Sequence, residues 1–149
     1  LPPIDPASLL AGAEAACSRP TESAAVIARA LQAAPNDPDV RLAAYRFYFY
    51  MHDHGAALEQ ARALLGHAAR RLNLAPDWAE VRARDAAFTA HEAAPGLYLQ
   101  ALIAVGYCAA RTGAMETARA VLAKAAELDS TDRFGGAWLL ARLDRSDDD

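Results

Sequence analysis

The chain has 149 residues, 54% of them hydrophobic, and a net charge of −4. This length suits one compact domain with a buried core, and the scattered Lys and Arg exclude the concentrated basic face that nucleic-acid binding requires. No run of 18 apolar residues without charge is counted, so neither a transmembrane helix nor a membrane partner is expected. Alanine makes up roughly a quarter of the chain, far above average usage. It is the best helix former and lets helices approach closely, so the fold class expected is all-α. Cys17 and Cys108 are too few for a disulfide framework. Small buried thiols in a reducing bacterial cytoplasm are expected. The N-terminus LPPIDPASLL has no signal-peptide pattern, and its first residue is Leu, as in a chain trimmed from a longer one.

In chain order, Asp5 to Cys17 reads as a first helix, with Asp5 as N-cap and Pro6 in the first helical position. A turn at 18–21 follows, with Thr21 a candidate N-cap. Ala24 to Ala34 then forms a helix with Val26, Ile27 and Leu31 along one side. Pro35-Asn36-Asp37-Pro38 breaks the chain and closes a first hairpin over about 4–37. Pro38 to Met51 is an aromatic helix, followed by the turn His52-Asp53-His54-Gly55. Ala56 to Leu72 is its partner, giving a second hairpin over about 38–71.

The clearest hairpin spans 99–132. Its first helix carries Gly106, the turn is Arg111-Thr112-Gly113, and the second helix carries Ala118 and Ala125. Between the second and third hairpins, 27 residues are too many for an ordinary loop. Within them Trp78, Val81, Asp85 and Phe88 fall at helical spacing, Asp77 with Glu80 resembles a capping pair, and Pro95-Gly96 looks like a stop. An inserted helix over about 77–92 is expected. A capping helix over about 133–143 carries Phe134, Trp138 and Leu139 to cover the last open core. Residues 146–149 are expected to be a disordered acidic tail. One domain, 1–145, would hold all of these.

Helix–turn–helix units of about 34 residues with small residues at the helix contacts resemble the tetratricopeptide repeat (TPR) family. In the third hairpin the matching residues are Gly106, Gly113, Ala118, Leu122, Ala125 and Leu128-Asp129, with Ala109 in place of the usual tyrosine and Ser130 in place of the usual proline. The second hairpin has Tyr48 and Ala57, but Tyr45 stands where glycine belongs and Leu64 where the second alanine belongs. The first keeps Ala30, Leu31 and Pro35. The resemblance implies a right-handed α-α superhelix of three hairpins with an inserted helix and a capping helix, and a concave face lined by the first helix of each pair.

On that alignment the groove carries Asp39, Leu42, Arg46, Phe49 and Tyr50 from the second hairpin, and Gln100, Ile103, Tyr107 and Arg111 from the third. Aromatics and arginines dominate interface energetics, so the implied partner is a protein segment with apolar anchors and acidic groups. Against this, aromatics in a sandwiched helix can equally be core: Tyr45, Tyr48 and Phe49 share a side, whereas Phe47 and Tyr50 point elsewhere. The expected function is a non-catalytic scaffold, adaptor or assembly chaperone in the cytoplasm. Alternatives are a self-associating or regulatory domain of a larger protein and, more remotely, a metal-dependent enzyme built on His52, Asp53 and His54. Catalytic zinc needs three well-placed ligands with support, and no P-loop, dinucleotide turn or nucleophile elbow is present. No cofactor, metal or catalytic residue is therefore expected. Cys108 in an apolar helical run reads as inert.

Overall fold

A computed structural model describes residues 20–147, with side chains over 22–145. The described residues are all-α: six α-helices and no strand. They are α1 (Pro20–Ala33), α2 (Pro38–Tyr50), α3 (His54–Arg71), α4 (Ala93–Arg111), α5 (Met115–Leu128) and α6 (Gly136–Asp147). The expected helix over 5–17, the Cys17 thiol and Asp148-Asp149 of the expected tail lie outside the described residues. The chain divides into two compact units, Leu1–Ala63 and Leu64–Asp149.

In the first unit the Pro35–Pro38 break works as its chemistry dictates. The Asp37 carboxylate accepts the Asp39 N–H at 2.9 Å and Pro38 occupies the first turn of α2, where a missing N–H costs nothing. α1 packs on α2 through Ile27, Ala30, Val40, Ala43, Ala44 and Phe47. Val26 is 48% exposed, so the apolar side of α1 is Ile27, Ala30 and Leu31. The α1 helix starts at Pro20, which places Thr21 inside it instead of at its cap. Gln60 of α3 is buried, and its Oε1 accepts a hydrogen bond from Arg41 Nη1 at 2.9 Å.

In the second unit α4 and α5 form a hairpin whose contact is set by Gly106. A Cβ there would stand 2.7 Å from both Cγ and Cδ2 of Leu122. Ala118, Val121, Leu122 and Ala125 of α5 are buried, as are Leu99, Leu102, Val105, Cys108 and Ala109 of α4, and the two helices pack together. α6 packs on α5, and a Cβ on Gly136 would be 3.1 Å from Ala125 Cβ and 3.5 Å from Ile103 Cγ1.

Three sequence expectations need correction here. Residues 77–92 are no α-helix; they contain two single 3₁₀ turns, Trp78–Glu80 and Ala83–Asp85. Asp77 does cap, accepting the Ala79 N–H at 3.0 Å, but the helix cannot propagate. The Asp85 carboxylate takes the Arg82 N–H at 2.8 Å, and the Val81 carbonyl is taken by Lys124 Nζ of α5 at 2.9 Å. Those groups would otherwise enter the helical ladder. Val81 and Phe88 are instead buried individually, as plugs of an irregular strap.

Second, Pro95-Gly96 does not stop a helix; it lies in the first turn of α4, which starts at Ala93. A first-turn N–H has no intrahelical partner, so proline is tolerated there. The resulting helix includes the charge-free stretch 93–110 and is, with 19 residues and a mean hydropathy of 1.4, long and apolar enough to cross a membrane. Most of it is buried inside the unit, which accounts for that apolarity as core packing. Third, the terminal helix starts at Gly136, three residues later than expected, and runs to Asp147, so Ser146 and Asp147 of the expected disordered tail are helical. Asp132 and Gly135 adopt left-handed backbone, with φ of 50° and 83°. The Asp129 and Asp132 carboxylates accept the Phe134 and Ala137 N–H groups, which holds the turn open.

Candidate partner-binding surface

The two described hairpins share their turn chemistry, sixty-one positions apart, Asp53 against Ala114. α2 ends with the His52 N–H donating to Phe49 O and the Asp53 N–H donating to Tyr48 O; α4 ends with Gly113 to Ala110 and Ala114 to Ala109. Each is a Schellman closure around one left-handed residue, His52 at φ 59° and Gly113 at φ 92°. The next helix then starts alike: Ala57 N–H donates to Asp53 O, and Ala118 N–H to Ala114 O, with both alanines fully buried. Phe47 and Cys108, at matching positions, are also both buried. Of the five α2 aromatics Phe47 is therefore the core residue. Tyr45, Tyr48 and Phe49 are half-buried, and Tyr50 is 65% exposed.

The first unit holds four of the expected binding residues. Leu42 is half-buried and Arg46 exposed. Phe49 sits in a ring cluster, with centroids 5.8 Å from Tyr45, 6.5 Å from Tyr50 and 6.2 Å from His54. Burial raises the Tyr48 hydroxyl pKa, with Asp53 and Glu59 adding to the effect. Asp53 Oδ1 accepts the Ala56 N–H at 3.1 Å, so this carboxylate serves the start of α3. The His52 and His54 rings lie 6.0 Å apart. No group of three or more His, Cys, Asp or Glu among the described residues is arranged to hold a metal ion.

The second unit holds the other three, and they differ in kind. Ile103 is only 9% exposed, next to the start of α6, so it supports the surface from below. Tyr107 and Arg111 line a cleft of about 220 Å³ with Ala110 of α4, Leu122 of α5, and Leu139, Arg142 and Leu143 of α6. Arg142 lies 4.6 Å from the centroid of the Trp138 ring, which is 55% exposed. Every lining residue is apolar, aromatic or cationic. Leu139, Arg142 and Leu143 were not anticipated, although their i, i+3, i+4 spacing on an amphipathic helix marks one face.

Elsewhere in the unit, Tyr98 is buried with its ring 5.8 Å from Phe88, and its hydroxyl has no hydrogen-bond partner among the described residues. Burial, helped by Asp77, pushes its pKa up to about 12. Lys124 Nζ also pairs with Glu127 at 2.6 Å. That hydrogen bond lowers the Glu127 pKa. Cys108 is fully buried in α4.

No family model matches the chain, and no solved structure matches it. Among curated proteins it is similar to an uncharacterised 19.8 kDa protein in the nifW 5′ region of Azotobacter chroococcum mcd 1. The two are 39% identical over 109 residues, which is 72% of this chain. The match spans 61% of that relative's length.

Proposed function

We propose that the chain is a TPR-like, non-catalytic interaction module: its hairpins stack as a right-handed superhelix and present a concave surface to a segment of another protein. The supporting observation is the matched pair of turns at Asp53 and Ala114, which gives two hairpins one register. In that register Leu42, Arg46, Phe49 and Tyr50 correspond to Ile103, Tyr107, Ala110 and Arg111. Solvent reaches Arg46, Tyr50 and Arg111, and such residues supply most binding energy when a partner covers them. A cytoplasmic adaptor, scaffold or assembly chaperone in a bacterium fits this reading, with no cofactor and no nucleic acid or membrane partner. The one alternative favoured by a specific observation is self-association, through exposed Trp138 on α6.

The test is retention of partners from a bacterial extract by wild type and by an Arg46→Glu/Tyr107→Ala variant. A partner held by wild type and lost by the variant supports the groove. The same partner held by both overturns it. Wild type that retains only itself, with a mass in solution that rises with concentration, replaces the module reading with self-association.

A further inference from the structure

Between Asp77 and Glu92 the chain crosses the second unit as a strap with two buried side chains, Val81 and Phe88. Trp78, Ala86 and Ala90 are half-buried and the other strap residues are exposed. The Trp78–Glu80 turn packs on α5, and the Phe88 ring lies 5.8 Å from that of Tyr98 on α4. Val81 O accepts a hydrogen bond from Lys124 Nζ at 2.9 Å, and Ala90 O from Arg133 Nη1 at 3.2 Å. Isolated apolar anchors, with main-chain groups taken by the host, are how a protein holds a bound peptide. The N–H groups of Val81, Arg82, Asp85, Phe88 and Ala90 donate within the strap itself, to Trp78 O, the Asp85 carboxylate, Arg82 O, Ala86 O and Ala87 O. Lifting it therefore leaves the helical ladders of α4 and α5 intact. Both donors also keep a partner when it leaves: Lys124 pairs with Glu127 at 2.6 Å, and the Arg133 guanidinium lies 4.4 Å from the Phe134 ring centroid. Beside Phe88, the buried Tyr98 hydroxyl has no hydrogen-bond partner among the described residues. A segment that brings an acceptor to it gains a hydrogen bond the strap does not make.

We propose that the strap is an internal ligand: it lifts from α4 and α5 as one unit and yields its seat to a partner segment of the same pattern, a β-branched residue and an aromatic one seven positions apart. Only the existence of a partner rests on the interaction-module reading. Tethering gives the strap an effective concentration of roughly millimolar order, so a free segment competes poorly until the strap's own anchors are weakened. Local opening of this kind belongs to segments with few buried contacts and self-contained hydrogen bonds.

The experiment measures binding of a fluorescent peptide of residues 77–92 to the full chain, as wild type and as Val81→Ser/Phe88→Ala, with circular dichroism checking that the variant is folded. The expected result is affinity at least tenfold higher for the variant, and no binding by a peptide that itself carries Val81→Asp and Phe88→Ala. Equal affinity, or no binding to a folded variant, overturns the latch and leaves the interaction-module reading to its own test in extract. Should the variant not fold, native-state hydrogen exchange of wild type decides. Shared opening of the Val81, Asp85 and Phe88 amides, at least tenfold more frequent than that of Ala118 and Asp129, supports the latch. Opening of all five only together overturns it.

Discussion

The α2/α3 and α4/α5 hairpins have the same turn, closed by the same two backbone hydrogen bonds, yet they carry opposite residue sizes at matching helix positions. In α4/α5 the backbone of Gly106 meets the Leu122 side chain, with the bulk carried on α5. At the corresponding positions the first hairpin has Tyr45 and Ala61, with the bulk carried on α2. The large and the small residue change helices in the sequence while the turn is kept. Backbone hydrogen bonds fix a turn whatever the side chains are, whereas packing requires only that the summed volume fill the space.

Breaking this complementarity gives the largest expected effect. Leu122→Ala should cost about 2–5 kcal/mol in urea denaturation, the range for removing a buried leucine. Gly106→Ala alone should destabilise by about 1–3 kcal/mol, because the clash with Cγ outweighs the roughly 1 kcal/mol gain in helix propensity. In the Leu122→Ala background the clash is gone, and the same substitution should be neutral or stabilising. Additive effects would break the comparison.

A second prediction concerns the hydroxyl that burial isolates at the start of α4. Tyr98 has a folded-state pKa of about 12, above the unfolded value of about 10. Its contribution to stability is therefore complete below about pH 10 and is lost as pH rises to about 12, by roughly 2 kcal/mol. Tyr98→Phe should remove that alkaline loss. At pH 7 it should be neutral or slightly stabilising, since it deletes a buried hydroxyl without orphaning a partner. Subtracting the variant's pH–stability curve from that of wild type isolates this residue from Tyr48 of the first hairpin, whose pKa is also raised. Parallel curves would refute the assignment.

The smallest effect tests what anchors the strap to α5. Lys124→Met should cost about 1–2 kcal/mol, because the buried Val81 residue loses the donor to its carbonyl. It should also speed hydrogen exchange at the Val81 and Asp85 amides while leaving the Ala57 amide of the first hairpin unchanged. Equal acceleration in both hairpins would show that the tie is not local.

Sequence reading reached the helices that end in strong local chemistry. Pro38 with its Asp37 cap, and Gly113 in its left-handed position, declare their roles because proline and glycine restrict or extend backbone freedom wherever they occur. It failed where a side chain's partner is distant in sequence. Trp78, Val81, Asp85 and Phe88 have helical spacing, but the Val81 carbonyl is taken by Lys124, 43 residues away. The candidate site was half legible: Tyr107 and Arg111 followed from the register of the hairpin, whereas Leu139, Arg142 and Leu143 reach the cleft only because α6 folds onto α5. Ile103 was placed on the surface by the same register and is covered by that docking.

The sequence by itself determined an all-α chain, the break at 35–38, a turn beginning at His52 and another at 111–113, and the small residues Gly106, Ala118 and Ala125 of the α4/α5 hairpin. These follow from local propensity and i, i+3, i+4 spacing, which act over one or two helical turns. Tertiary structure decided the irregular strap, the late start of α6 and the cleft with its two arginines. Each of those depends on a hydrogen bond or contact between residues far apart in the chain, and local periodicity carries no information about such partners.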